Sequence, residues 1–124
     1  MKRNKKTKID WVILAETEKK SDKNNPECIV DYRTSGFSKY GFGGEVLVVG
    51  KVKDARKITD LINTFCKMMI DGEKFALGFT HCIDKLNGET KYRFNIVEYA
   101  TLNNGIKYQL IPLFYDYSEI KKWL

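Results

Sequence analysis

The chain has 124 residues, 43% hydrophobic and 31% charged, which suffices for one core without metal or disulfide staples and argues against wholesale disorder. Cys28, Cys66 and Cys82 are odd in number, widely spaced and free of any C-x-x-C pair. They read as small buried hydrophobes rather than as a disulfide framework or a zinc site. The formal net charge is +6, yet Lys2, Arg3, Lys5, Lys6 and Lys8 supply five of the 22 basic residues, and the remainder of the chain holds 17 basic against 16 acidic residues.

That basicity is therefore a tail. Residues 1–8 read as a disordered basic arm, able to meet nucleic-acid phosphates, ahead of a single domain over 9–124. The arm resembles the start of a signal peptide, but Asp10 and the charges after Ala15 leave no adequate apolar region. No apolar run approaches the roughly 20 residues of a membrane helix, so a cytoplasmic location is expected.

Ile9 to Ala15 is apolar enough for a mostly buried strand, and the polar stretch through Pro26 is a loop. Cys28 to Arg33 reads as a short second strand. GFSKYGFGG (36–44) follows, holding four of the nine glycines and three aromatic residues, and Glu45 to Val52 is a third strand.

Asp54 is placed to cap a helix in which Ile58, Leu61, Ile62, Phe65 and Met69 recur at helical spacing, with Gly72 as its stop. This stripe reads as core. Three more strands are expected over Lys74–Ile83, Tyr92–Thr101 and Ile106–Tyr115, turning at Asn87-Gly88 and Asn104-Gly105. Pro112 lacks an amide donor, which predicts that the last strand is an edge or is bulged there. Asp116 or Ser118 is placed to cap a short terminal helix carrying Ile120, Trp123 and Leu124. The fold expected is α+β with mainly antiparallel sheet, in the order βββα-βββα, the long amphipathic helix packing on a sheet face.

From the long helix to the C-terminus, the helix–three strands–helix order resembles the topology of the double-stranded-RNA-binding domain over about 70 residues. The resemblance stops at topology. That domain's basic cluster and histidine loop have no counterpart here, and none of its RNA-contact residues is carried over.

The glycine segment fails as a phosphate motif. Gly36 and Gly41 have the P-loop spacing, but Phe42 stands where lysine belongs; Gly50-Lys51-Val52 lies within a strand. Gly41-Phe42-Gly43-Gly44 lacks the dinucleotide spacing, and the RNA-recognition aromatic pattern breaks at Glu45. What remains is glycine amides open to a ligand, with Phe37, Tyr40 and Phe42 placed to stack and Lys39 to pair charge. The alternative is a connection whose rings fold back onto the core. Arg33 and Arg93 are candidates for clamping a phosphate or carboxylate, against the plainer alternative of surface ion pairs. No cofactor motif is present.

His81 is the only histidine. On a regular strand it shares a face with Phe75, Leu77 and Phe79, while Cys82 points the other way, so a His81–Cys82 dyad needs a bulge. Asp31, Glu45 and Glu98 show no spacing that demands a pair, and enzymatic activity is not favoured. The first reading is a non-catalytic binder of a phosphate-bearing planar ligand, a nucleotide-type molecule or single-stranded nucleic acid. The second is a protein–protein module, such as a small inhibitor or accessory module from a phage or mobile element, acting alone or as a homodimer or higher homo-oligomer. A small enzyme using His81 and a cysteine is third.

Overall fold

The computed structural model describes residues 9–16, 25–84, 91–99, 104–116 and 118. Among these residues six strands and one long helix follow in chain order: β1 (Val12–Glu16), β2 (Ile29–Ser35), β3 (Glu45–Lys51), α1 (Ala55–Ile70), β4 (Thr80–Asp84), β5 (Lys91–Glu98) and β6 (Ile106–Pro112). A 3-10 turn over Phe37–Tyr40 precedes β3, and a second, Val52–Asp54, runs straight into α1. The basic arm of residues 1–8, the Asn87-Gly88 turn and the body of the expected terminal helix lie outside the described residues.

The strands form one sheet in the order β1-β2-β3-β6-β5-β4. Neighbours pair antiparallel except at the centre, where β3 and β6 run parallel, with Leu47 opposite Gln109. The class is α+β, but the sheet is mixed, which corrects the expectation of mainly antiparallel sheet. The physical reason is the crossover: α1 and the β4–β5 hairpin return the chain so that β6 enters beside β3 with the same direction. The last three strands are thus half of a larger sheet, and the likeness to the double-stranded-RNA-binding topology ends with local order.

Period-two alternation sends Val30, Tyr32 and Thr34 of β2, Val46 and Val48 of β3, and Phe94 and Ile96 of β5 to the face that α1 covers. Ile58, Leu61, Ile62 and Phe65 meet them, each at most 1% exposed. At Gly50 helix and sheet approach closely. A Cβ there would stand 2.4 Å from Ile58 Cδ1 and 2.8 Å from the Tyr115 hydroxyl. That hydroxyl accepts from the Lys51 N–H (2.8 Å) and donates to Asp54 Oδ2 (2.7 Å), fastening the end of β3 to the start of α1. The Tyr92 hydroxyl donates to Asp60 Oδ2 (2.8 Å) on the far side, and burial followed by that carboxylate pushes its pKa up to about 12.

Four local expectations are corrected. Asp54 stands at the N-cap of α1 as expected but does not cap it with its side chain, because the 3-10 turn feeds the helix without the extended backbone a capping residue uses, and its carboxylate goes to Tyr115. The first strand is neither mostly buried nor centred on Ile9–Ala15: β1 is an edge, with Val12 59% and Leu14 39% exposed, and Trp11 just before it supplies the buried ring. Residues 74–79 are not strand, since Gly78 turns there with φ of 80° and β4 begins only at Thr80. Finally, β6 is internal and its irregularity lies at its start, opposite Glu45 and Val46. The Leu113 N–H donates to the Arg93 carbonyl (2.8 Å), so alternation turns the Pro112 nitrogen toward the β3 side, beyond the last β3–β6 partners. No described helix is long and apolar enough to cross a membrane.

Candidate functional site

The glycine segment divides in two. Gly36 (φ 103°) and Gly41 (φ 87°) bracket the 3-10 turn in left-handed conformations that other residues rarely adopt. Inside that bracket Phe37 is fully buried, edge-on to Trp11 at 5.6 Å. Tyr40 also meets Trp11 edge-on, and its hydroxyl donates to Asp10 Oδ1 (2.5 Å). Lys39 pairs with Asp10 Oδ2 at 2.7 Å, so hydrogen bonds from Lys39 and then Tyr40 hold the Asp10 carboxyl below the usual range.

The amides at the start of the turn already hold an anion, and it is internal. The Glu45 carboxylate, 9% exposed, accepts from the Phe37 N–H (3.0 Å), the Ser38 N–H (3.1 Å) and the Thr34 hydroxyl (2.8 Å). Burial pushes its pKa upward, but the donors from Ser38, Thr34 and Phe37 together outweigh that, and the group ends below the ordinary glutamate range. These amides are therefore occupied, and the buried Phe37 ring cannot stack on a ligand.

Arg33 and Arg93 occupy the sheet face away from α1, on β2 and β5; Val97 rather than Arg93 is in register with Arg33, so three strand spacings and an offset of four residues separate the two by about 20 Å. Arg33 Nη1 donates to the Asn104 carbonyl (3.3 Å), while its Nε is buried without a hydrogen-bond partner among the described residues. Arg93 is exposed opposite Cys82 of β4. Neither joins the aromatic segment. The same face exposes Val12, Leu14 and Val97.

Phe42 has a different destination. Its ring stacks on Phe37 at 5.3 Å and 11°, and Phe42 also lines a cavity of about 280 Å³. Phe65 and Met69 from the end of α1, Ile96 of β5 and Tyr108 of β6 make the floor and sides. Phe75 and the exposed Leu77 also line it, and the exposed Glu73 and Lys74 stand on its solvent side. The helix terminates with the Gly72 N–H on the Met69 carbonyl and the Glu73 N–H on the Met68 carbonyl, which turns the chain back over the opening. Phe75 then packs on Phe65 at 5.0 Å.

His81 holds this wall in place. Its ring sits edge-on to Phe75 (5.1 Å), and Nε2 donates to the Ala76 carbonyl at 2.7 Å. Cys82 lies on the opposite face, its partner being Arg93 where that of His81 is the buried Phe94. Burial, and then the Glu45 charge, push the Cys66 thiol pKa well up, away from a reactive thiolate. Cys28 is buried against its own strand. Among the described residues no cluster of His, Cys, Asp and Glu is placed to hold a metal ion.

Of the residues singled out in sequence, only Phe42 reaches the cavity. Phe65 and Met69 are hidden in a helical stripe that reads as core. Phe75 and Leu77 sit in a run that reads as strand, and nothing in the spacing links them to Phe42 or Tyr108. The usable signal is Phe75, an aromatic residue three positions after the helix-stopping Gly72. No known family model matches this chain, no curated protein matches it in sequence, and no solved structure matches its fold.

Proposed function

We propose that this protein is a non-catalytic binder that takes the planar ring of a ligand into the cavity behind Phe42. The observation that carries the reading is the cavity itself: about 280 Å³, walled by Phe42, Phe65, Phe75 and Tyr108 and open to solvent beside Lys74. That is close to the lower bound of ordinary ligand pockets, which are mostly apolar with a few polar groups to fix orientation. The site for a planar ligand thus moves from the Phe37–Tyr40 turn to the far side of Phe42. An anionic substituent, phosphate included, is met by Lys74 rather than by Arg33, Lys39 or Arg93. One enclosed ring fits this space better than the succession of stacked bases that single-stranded nucleic acid presents.

Thermal shift and native mass spectrometry with indole, naphthoate and mononucleotides test the reading. A rise in Tm with at least one planar compound, abolished in Phe42→Ala, is expected. No shift with any of them overturns it.

A protein–protein module, of the inhibitor type or as a homodimer, is the second reading, and the sheet face away from α1 favours it. Val12 (59%), Leu14 (39%) and Val97 (44%) are exposed on that face, where a sheet covered on one side only presents polar residues by rule. Light scattering of the wild type and of Leu14→Glu decides it. A monomer in both, with no partner recovered by the wild type, removes this reading.

A further inference from the structure

The floor of the cavity is apolar, but its solvent side carries two opposite charges on consecutive residues, Glu73 and Lys74. Taking the proposed planar-ligand site as the premise, we infer that the ligand is a zwitterionic aromatic amino acid, its ring enclosed by Phe42, Phe75 and Tyr108, its ammonium facing Glu73 and its carboxylate facing Lys74.

Size supports one or two fused rings. A dry cavity of about 150 Å³ accommodates a single benzene ring, and this one is just under twice that at about 280 Å³. Polarity argues in the same direction. A nucleobase brings several donors and acceptors into the enclosed part of the site, where the Tyr108 hydroxyl is the one polar side-chain group among the lining residues apart from Glu73 and Lys74. A buried polar edge without partners costs about 1–3 kcal/mol for each group, so an apolar ring is preferred below the rim. At the rim, an acid alone faces Glu73 as well as Lys74, and an amine alone faces Lys74 as well as Glu73. A ligand carrying both charges on one carbon pairs each with its opposite, and the long stems of Glu73 and Lys74 let both heads converge on it.

Calorimetric titration of the full-length protein with indole, tryptophan, tryptophanamide and N-acetyltryptophan tests this. The last two retain one charge each and imitate the N- and C-terminal residues of a peptide. Because both rim residues are exposed and solvent screens them, tryptophan is expected to bind about two- to five-fold more tightly than either single-charge compound. Glu73→Gln should reduce tryptophan to the affinity of N-acetyltryptophan, and Lys74→Gln to that of tryptophanamide; both positions are exposed, so both variants fold. If indole binds and the three derivatives bind equally, or a mononucleotide binds more tightly than tryptophan, the inference fails while the planar-ligand site stands. If a single-charge compound matches tryptophan, a peptide terminus replaces the free amino acid and the inference fails. If nothing binds, indole included, both fail.

Discussion

Phe37 and Phe42 belong to one glycine-rich segment and stack on each other, yet they do opposite things. On the Phe37 side every feature that resembles a ligand site is already satisfied: the amides hold Glu45, Tyr40 and Lys39 hold Asp10, and the ring is enclosed. On the Phe42 side the ring stacks on Phe37 and also lines a cavity. The difference teaches that composition alone does not make a binding loop. Amides and rings serve a ligand only where the protein has left them without an internal partner.

The largest effect on this contrast comes from removing its internal anion. Glu45→Ala leaves two backbone amides and the Thr34 hydroxyl without their acceptor in a buried site. A loss of about 3 kcal/mol in denaturant unfolding is expected. The same group sets an acid limb. Its folded pKa lies below the ordinary glutamate value, so its contribution is fully present above about pH 4.3, the unfolded value. That contribution disappears as pH falls through the lower folded value. Glu45→Gln should flatten that limb; an unchanged slope would show that the carboxylate is not held as described.

Phe42→Ala should reverse the pattern. The ring is half-buried, so stability falls by about 1–2 kcal/mol, less than for a fully buried phenylalanine. Binding of indole-sized compounds should fall at least about ten-fold, equivalent to 1.4 kcal/mol. A variant that unfolds yet keeps its affinity in the folded fraction would erase the distinction between the two rings. The smallest effect belongs to Lys39. Its pairing with Asp10 is half exposed on both sides, and Lys39→Ala should change stability by less than about 1 kcal/mol and leave ring binding unchanged. Loss of ligand affinity in that variant would return the site to the Tyr40 side.

The sequence made α1 legible because five apolar residues at helical spacing leave few alternatives, and β2, β3 and β5 followed from alternation and flanking turns. The parallel join was not legible. Alternation says which face a residue takes, and nothing in Leu47 or Gln109 says that each will find the other. The candidate site was legible by a single residue. Phe37 and Phe42 have the same chemistry and similar neighbours, and their fates are decided by Glu45 reaching back to the turn and by Phe75 folding over the end of α1. Glu45 looked like an interruption of an aromatic pattern, and it is the residue that organises the segment. His81, the one residue with an obvious chemical repertoire, serves to position a wall.

The central β3–β6 join also governs how the molecule comes together in time. Each flanking pair of strands closes over a short stretch of chain, whereas Leu47 and Gln109 meet across ~60 residues, at a correspondingly larger loop-closure cost. The two three-stranded halves can therefore assemble independently, and the sheet becomes continuous only when their shared seam zips up, with α1 laid across it. Amides along that seam should exchange with solvent only when the whole sheet opens, so that the least local contact in the fold is the one that reports its cooperativity.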